Sequence, residues 1–317
     1  ILRIKSFIKI TMKKQELKGA SLLFIAALFW GTTFVAQSLG MDYVGPFTYL
    51  WARSIVGGIV LIPVALLYQR YSDNDHLDQS DLLNSKIAHK KYLLYGGIIC
   101  GIVLFAASAL QQFGMLYTSV GKTGFITALY IVIVPIMGIF LKKKCGINVW
   151  ISVLIAIAGL YLLCVNESFS ISKGDLLVFA CSILFATHII VIDHFSPKVN
   201  GVLLSCIQFW VCSVFSGIAM FLIEKPTVAS ISSAAGAILY AGIFSSGVAF
   251  TCQIVGQKHV KPAIAALIMS LESVVSVLAG WLVLHETLST KELIGCLIMF
   301  CAIIFAQIQL PSRKQLN

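Results

Sequence analysis

Lys18-Gly19-Ala-Ser-Leu22-Leu-Phe24 opens one long apolar run, and Lys173-Gly174-Asp-Leu-Leu177-Val-Phe179 opens another, 155 residues further on. The same register sets Trp30-Gly31-Thr32-Thr33 opposite Phe185-Ala186-Thr187-His188. A second pair follows in the same order: Leu94-Tyr95-x-Gly97-Ile98 with Leu239-Tyr240-x-Gly242-Ile243, and Phe105 with Phe250, at an offset of 145. A third sets ALYIVIVPI (128–136) against ALIMSLESV (266–274). Matches of Leu, Ile and Val arise by chance in apolar sequence. Ordered Lys-Gly and Leu-Tyr-x-Gly-Ile matches are harder to obtain that way, and they predict a duplication.

The runs are long enough to be spans. Charged residues are 11% of the 317 and apolar types 59%, against about 25% charged in an average soluble domain. Crossing the ~30 Å hydrocarbon core takes about 20 apolar residues. Uncharged runs cover Gly19–Met41, Tyr92–Gly121, Thr123–Leu141, Cys145–Asn166, Leu176–Ile192, Val199–Ile223, Pro226–Gln257 and Leu293–Ser312. Two more are broken by one charge each: Tyr43–Gln69 by Arg53, and Pro262–His285 by Glu272. The expected fold is therefore all-α integral membrane, with ten transmembrane helices. The polar stretch Arg70–Lys91 reads as a solvated loop.

Basic residues orient the spans. Of the 23 Lys and Arg, Lys122, Lys173, Lys225 and Lys291 fall on one side and Arg53 within a span; all others fall on the opposite side. The positive-inside bias predicts that both termini are cytosolic in a bacterial inner membrane. Expected boundaries are an N-terminal cytosolic segment (1–17), repeat 1 (18–165), repeat 2 (173–310) and a cytosolic tail (311–317). Met12 is the expected natural start, with residues 1–11 as upstream sequence. Five helices per repeat is an odd number, so the second repeat enters from the opposite face. Inverted repeats around a midplane site are a recurring plan of alternating-access carriers.

Several function classes lose support. The net charge of +10 is spread over short blocks between spans, so nucleic acid is not an expected partner. Eight of nine cysteines lie in apolar runs, where Cys packs as a small apolar residue. No Cys/His spacing indicates a metal, and no Walker motif, Ser-His-Asp set or paired carboxylates appear, so neither a cofactor nor catalysis is expected.

The motif K-G-x-x-L-x-F-x-x-x-L-x-W-G from Lys18 to Gly31, and Ala265–Gly295 with its Leu271-Glu272-Ser273 and Trp281-Leu-x-Leu-x-Glu286, resemble the EamA domains of the drug/metabolite transporter superfamily. The resemblance covers roughly 17–310. It implies two inverted five-helix repeats and secondary transport, with amino acids or related metabolites as exported substrates. Two features depart from the family pattern. Lys142–Lys144 stand where an acidic residue commonly ends the fourth helix, and Ser273 stands where a proline is common in the ninth.

Polar residues inside spans are the candidate site. A carboxylate at mid-span costs on the order of 3 kcal/mol to insert, which makes Glu272 a substrate-amine contact or a proton-coupling group, or else a structural carboxyl bonded to its neighbours. Trp30, Thr33 and Gln37 share one face of the first helix, and Thr127 and Tyr130 one face of the fourth. His188, opposite Thr33 in the repeat register, Gln112 and Gln253 complete the candidate set, each also readable as an interhelical hydrogen bond. Arg53 reads as structural, snorkelling outwards or paired with Asp42. The expected partners are a small amphiphilic metabolite, the lipid bilayer and a proton as coupling ion. A nucleotide-sugar or phosphate-ester antiporter is the alternative within transport. A lipid-modifying enzyme or flippase is the alternative of another class.

Overall fold

The computed structural model describes residues 14–72, 79–118, 120–143, 145–164, 172–283 and 289–307. The expected terminal segments 1–11 and 311–317, and Glu286, lie outside them. The described residues form ten rods: α1 (Lys14–Met41), α2 (Pro46–Ser72), α3 (Gln79–Met115), α4 (Thr123–Phe140), α5 (Ile147–Cys164), α6 (Lys173–Phe195), α7 (Gly201–Ile223), α8 (Ala235–Gln257), α9 (Pro262–Val283) and α10 (Thr290–Gln307). Eight are long and apolar enough to cross a bilayer unaided, while α5 and α10 contribute the shorter apolar helices Ile147–Leu162 and Leu293–Ala306.

Local chemistry starts the rods where the sequence provides caps. Ser172 and Asp175 form a capping box at α6, and Asn200 Oδ1 accepts from Val202 N and Leu203 N at α7. Pro262 occupies the first turn of α9, where its missing N–H costs nothing.

Packing follows the duplication. Helix α1 lies on α8 and α9, and α6 lies on α3 and α4; α2 packs on α7, α4 on α9 and α5 on α10. Exchanging every helix for the one five places along leaves this neighbour pattern unchanged, as a two-fold relation between the repeats requires. The Lys-Gly motif has a direct role in it. A Cβ on Gly19 would lie 2.8 Å from Gly256 O, and one on Gly256 would lie 2.8 Å from Gly19 O. In the other repeat, a Cβ on Gly174 would lie 2.6 Å from Gly114 O, and one on Gly114 3.1 Å from Gly174 O. The start of each repeat's first helix thus crosses the end of the other repeat's third helix, backbone on backbone. Each N-terminal end meets a C-terminal end, so the two repeats are inverted with respect to each other.

Three of the rods are irregular. Helix α4 breaks at Leu129 and α9 at Ser270–Leu271. In α8, Ala241–Ala249 is wound as a π-helix, a feature often found at functional sites. Its counterpart α3 is continuous.

Candidate functional site

The breaks and the π-turns surround one cavity between the repeats. Its wall takes Trp30, Phe34 and Gln37 from α1, Arg53 from α2, Gln111 from α3, and Thr127 and Tyr130 from α4. The second repeat supplies Phe185 and Ile189 from α6, Ser245, Phe250 and Gln253 from α8, and Met269 and Glu272 from α9. Its volume of ≈ 40 Å³ has room for a few waters.

Six of the nine candidates meet there: Trp30, Gln37, Thr127, Tyr130, Gln253 and Glu272. Tyr130 donates its hydroxyl to Glu272 Oε1 at 3.0 Å, joining the two repeats. Each of these residues is the first after the break in its helix. Gln111 Nε2 donates to Thr127 Oγ1 at 3.1 Å. Trp30 packs edge-on against Phe250 at 4.8 Å, with its indole N–H unpartnered among the described residues, as is Gln253 Oε1.

The other three lie off the wall. The cavity face of α1 is Trp30, Phe34 and Gln37, and that of α6 is Phe185 and Ile189. Thr33 and His188 each precede a wall residue by one position, and one residue turns the helix by about 100°. Thr33 is buried and donates to Phe29 O at 2.5 Å. His188 is buried 3.2 Å from Gln208 Oε1. Gln112 is fully buried, with neither amide atom partnered among the described residues.

Arg53 occupies a different place from the one expected. It neither snorkels nor pairs with Asp42; it is 5% exposed, lines the cavity, and donates through Nη1 to Gln37 Oε1 at 3.2 Å. Its guanidinium lies 6.0 Å from the centre of the Tyr49 ring, and no carboxylate faces it as an ion-pair partner among the described residues. The wall also holds Ser245, which nothing in the sequence singled out. The signal for Arg53 was present as the single charge of its span; which way it pointed was not.

The wall is thus apolar and aromatic over most of its extent, with a cation contributed by repeat 1 and a carboxyl by repeat 2. Among the described residues no group of three His, Cys, Asp or Glu comes together as a metal site.

A family model described as the EamA-like transporter family matches residues 17–165 and 172–307. An uncharacterized transporter of Archaeoglobus fulgidus is 27% identical, over 90% of this chain and 85% of its own length. The uncharacterized transporter YoaV of Bacillus subtilis is 20% identical, covering 90% and 96%. The uncharacterized inner membrane transporter YedA of Escherichia coli K12 is 24% identical, covering 92% and 91%. One crystal structure of a protein superposes with a TM-score of 0.73 at 18% identity, over 91% of this chain and 96% of that one, a likeness of fold.

Proposed function

This chain belongs to the EamA-like transporter family, and from that premise we propose that it is an alternating-access exporter of small zwitterions with an apolar body, amino acids above all. The observation that carries the proposal is that two oppositely ionisable groups, Arg53 and Glu272, line one largely apolar cavity between the repeats. Arg53 has guanidinium N–H groups beyond the one it gives Gln37 to offer a carboxylate, and Glu272 with the Tyr130 hydroxyl offers a site for an ammonium group. Trp30, Phe185 and Phe250 supply the walls for an apolar side chain. Glu272 is also our candidate for the proton-coupling group.

Counterflow in proteoliposomes tests the substrate class. Aliphatic and aromatic amino acids are expected to exchange, whereas the matching amines and deaminated acids, each lacking one charge, are expected to exchange at least about tenfold more slowly, because a buried charge would be left unpaired. Exchange of an amine or acid at the amino-acid rate overturns the zwitterion reading. The second reading, a phosphate-ester antiporter, is favoured by Arg53 and opposed by Glu272 in the same wall. Exchange of phosphate esters with no exchange of amino acids would establish it.

The same proposal places both termini in the cytosol. Reporter fusions at Glu224 should then read periplasmic and at Asn148 cytosolic, and the reverse result inverts the topology.

A further inference from the structure

A second cleft, of ≈ 410 Å³, opens where α6 and α8 end and α7 begins, away from the central cavity. Its rim carries Lys198, Lys258 and His259, and its floor is apolar, with Val199, Val202 and Ile254. The side chains of Lys258 and His259 make no hydrogen bond or ion pair among the described residues. Lys198 reaches across to Tyr92, donating to its hydroxyl at 3.1 Å. The positive end of the 23-residue helix α7 faces the same space, and Asn200 Oδ1 accepts from two of its first amides. Inside the cleft, Ser196 is 1% exposed and its hydroxyl has no partner among the described residues. Two lysines, a histidine, a helix N-terminus and a buried idle hydroxyl converge on a volume that no protein group fills.

That combination recognises an anion with several acceptor oxygens, which is the chemistry of phosphate. The location selects the source. Phe195, Gly201 and Gln257 are the ends of three apolar spans, so the cleft sits at the boundary between hydrocarbon and headgroups, with its apolar floor on the bilayer side of its basic rim. Basic pockets at this depth between transmembrane helices hold lipid headgroups. We propose that this cleft binds the phosphate of an anionic phospholipid, clasping the α6–α7 and α8–α9 connections of repeat 2.

The test uses the full chain purified in dodecyl maltoside, titrated with phosphatidylglycerol or phosphatidylcholine and followed by native mass spectrometry and thermal unfolding. Phosphatidylglycerol should bind at least about fivefold more tightly than phosphatidylcholine, and the Lys258→Ala/His259→Ala double variant should weaken it by about tenfold. Lys90→Ala removes a charge outside the cleft and should change binding less than about twofold. Ser196→Ala alters no charge and keeps the fold intact should the double variant misfold; it should weaken phosphatidylglycerol by about threefold, the worth of one hydrogen bond. Unchanged binding in the double variant and in Ser196→Ala, or an equal loss in Lys90→Ala, overturns the site. Displacement of phosphatidylglycerol by about 10 mM inorganic phosphate overturns the lipid as its source and leaves a site for soluble phosphate.

Discussion

Helices α4 and α9 hold equivalent places in the two repeats and are both broken, by different chemistry. In α4, Pro135 has no N–H to give Ile131 O, and the turn before it tightens: Leu129 N bonds Ile126 O and Val132 N bonds Leu129 O. In α9 there is no proline inside the helix, and the position where the family commonly has one is Ser273. The helix breaks all the same. Leu271 N bonds Ile268 O, Ser273 N bonds Ser270 O, the Ser270 hydroxyl donates to Leu267 O, and the Ser273 hydroxyl crosses to Gly124 O of α4. Serine hydroxyls compete for backbone carbonyls and loosen the helix where proline would have interrupted it. Each helix resumes at a residue of the shared pair, Tyr130 or Glu272. Both repeats interrupt this helix, but the α9 break falls three to four positions later in the repeat register than the α4 break, and the divergence puts the carboxyl in one half and its hydroxyl donor in the other.

The strongest way to break this equivalence is at the glycine crossings. Gly19→Leu and Gly174→Leu each push a side chain into a carbonyl of the opposing repeat, and each should lower stability by about 3 kcal/mol. Thermal unfolding of the purified protein checks this; a loss at one crossing without the other would show that the repeats do not share the contact. Next comes Glu272→Ala, which orphans the Tyr130 hydroxyl and should cost about 2 kcal/mol along with transport. Glu272→Gln keeps size and hydrogen bonding, so it should leave stability within about 0.5 kcal/mol and retain exchange while abolishing pH-gradient-driven accumulation. Full gradient-driven transport by that variant would reduce Glu272 to architecture.

Tyr130→Phe removes the donor and leaves the carboxyl, a change of about 1 kcal/mol, and should weaken substrate exchange more than it weakens folding. The smallest effect is expected from Ser273→Pro. It gives up the bond from Ser273 N and the hydroxyl contact to Gly124 O, but it fits an existing break, so its net cost should stay within about 1 kcal/mol. A cost above about 3 kcal/mol, the penalty for proline in an intact helix, would mean that α9 is not broken in solution.

Much of the fold was legible in the residues themselves. The spans could be read because lipid forces every backbone polar group to be satisfied within its own helix, which fixes both the length and the apolar content of each crossing. The repeat could be read at Lys18-Gly19 and Lys173-Gly174 because a glycine at a backbone crossing admits no substitute. The site was legible only in part. Glu272 and Arg53 announce themselves as charges inside spans, but Arg53 turned inwards to Gln37 and the cavity, away from Asp42. Thr33 and His188 matched in register and still pointed away, while Phe34 and Ile189, one residue later, took the wall.

The sequence by itself determined where the chain crosses the membrane, how many times, and that its two halves enter from opposite faces, because these follow from hydropathy and parity along one dimension. Only the tertiary structure decided which side of each helix meets the cavity. A helix that is apolar nearly all round carries almost no azimuthal signal of its own, and its rotation is set by the neighbours it packs against.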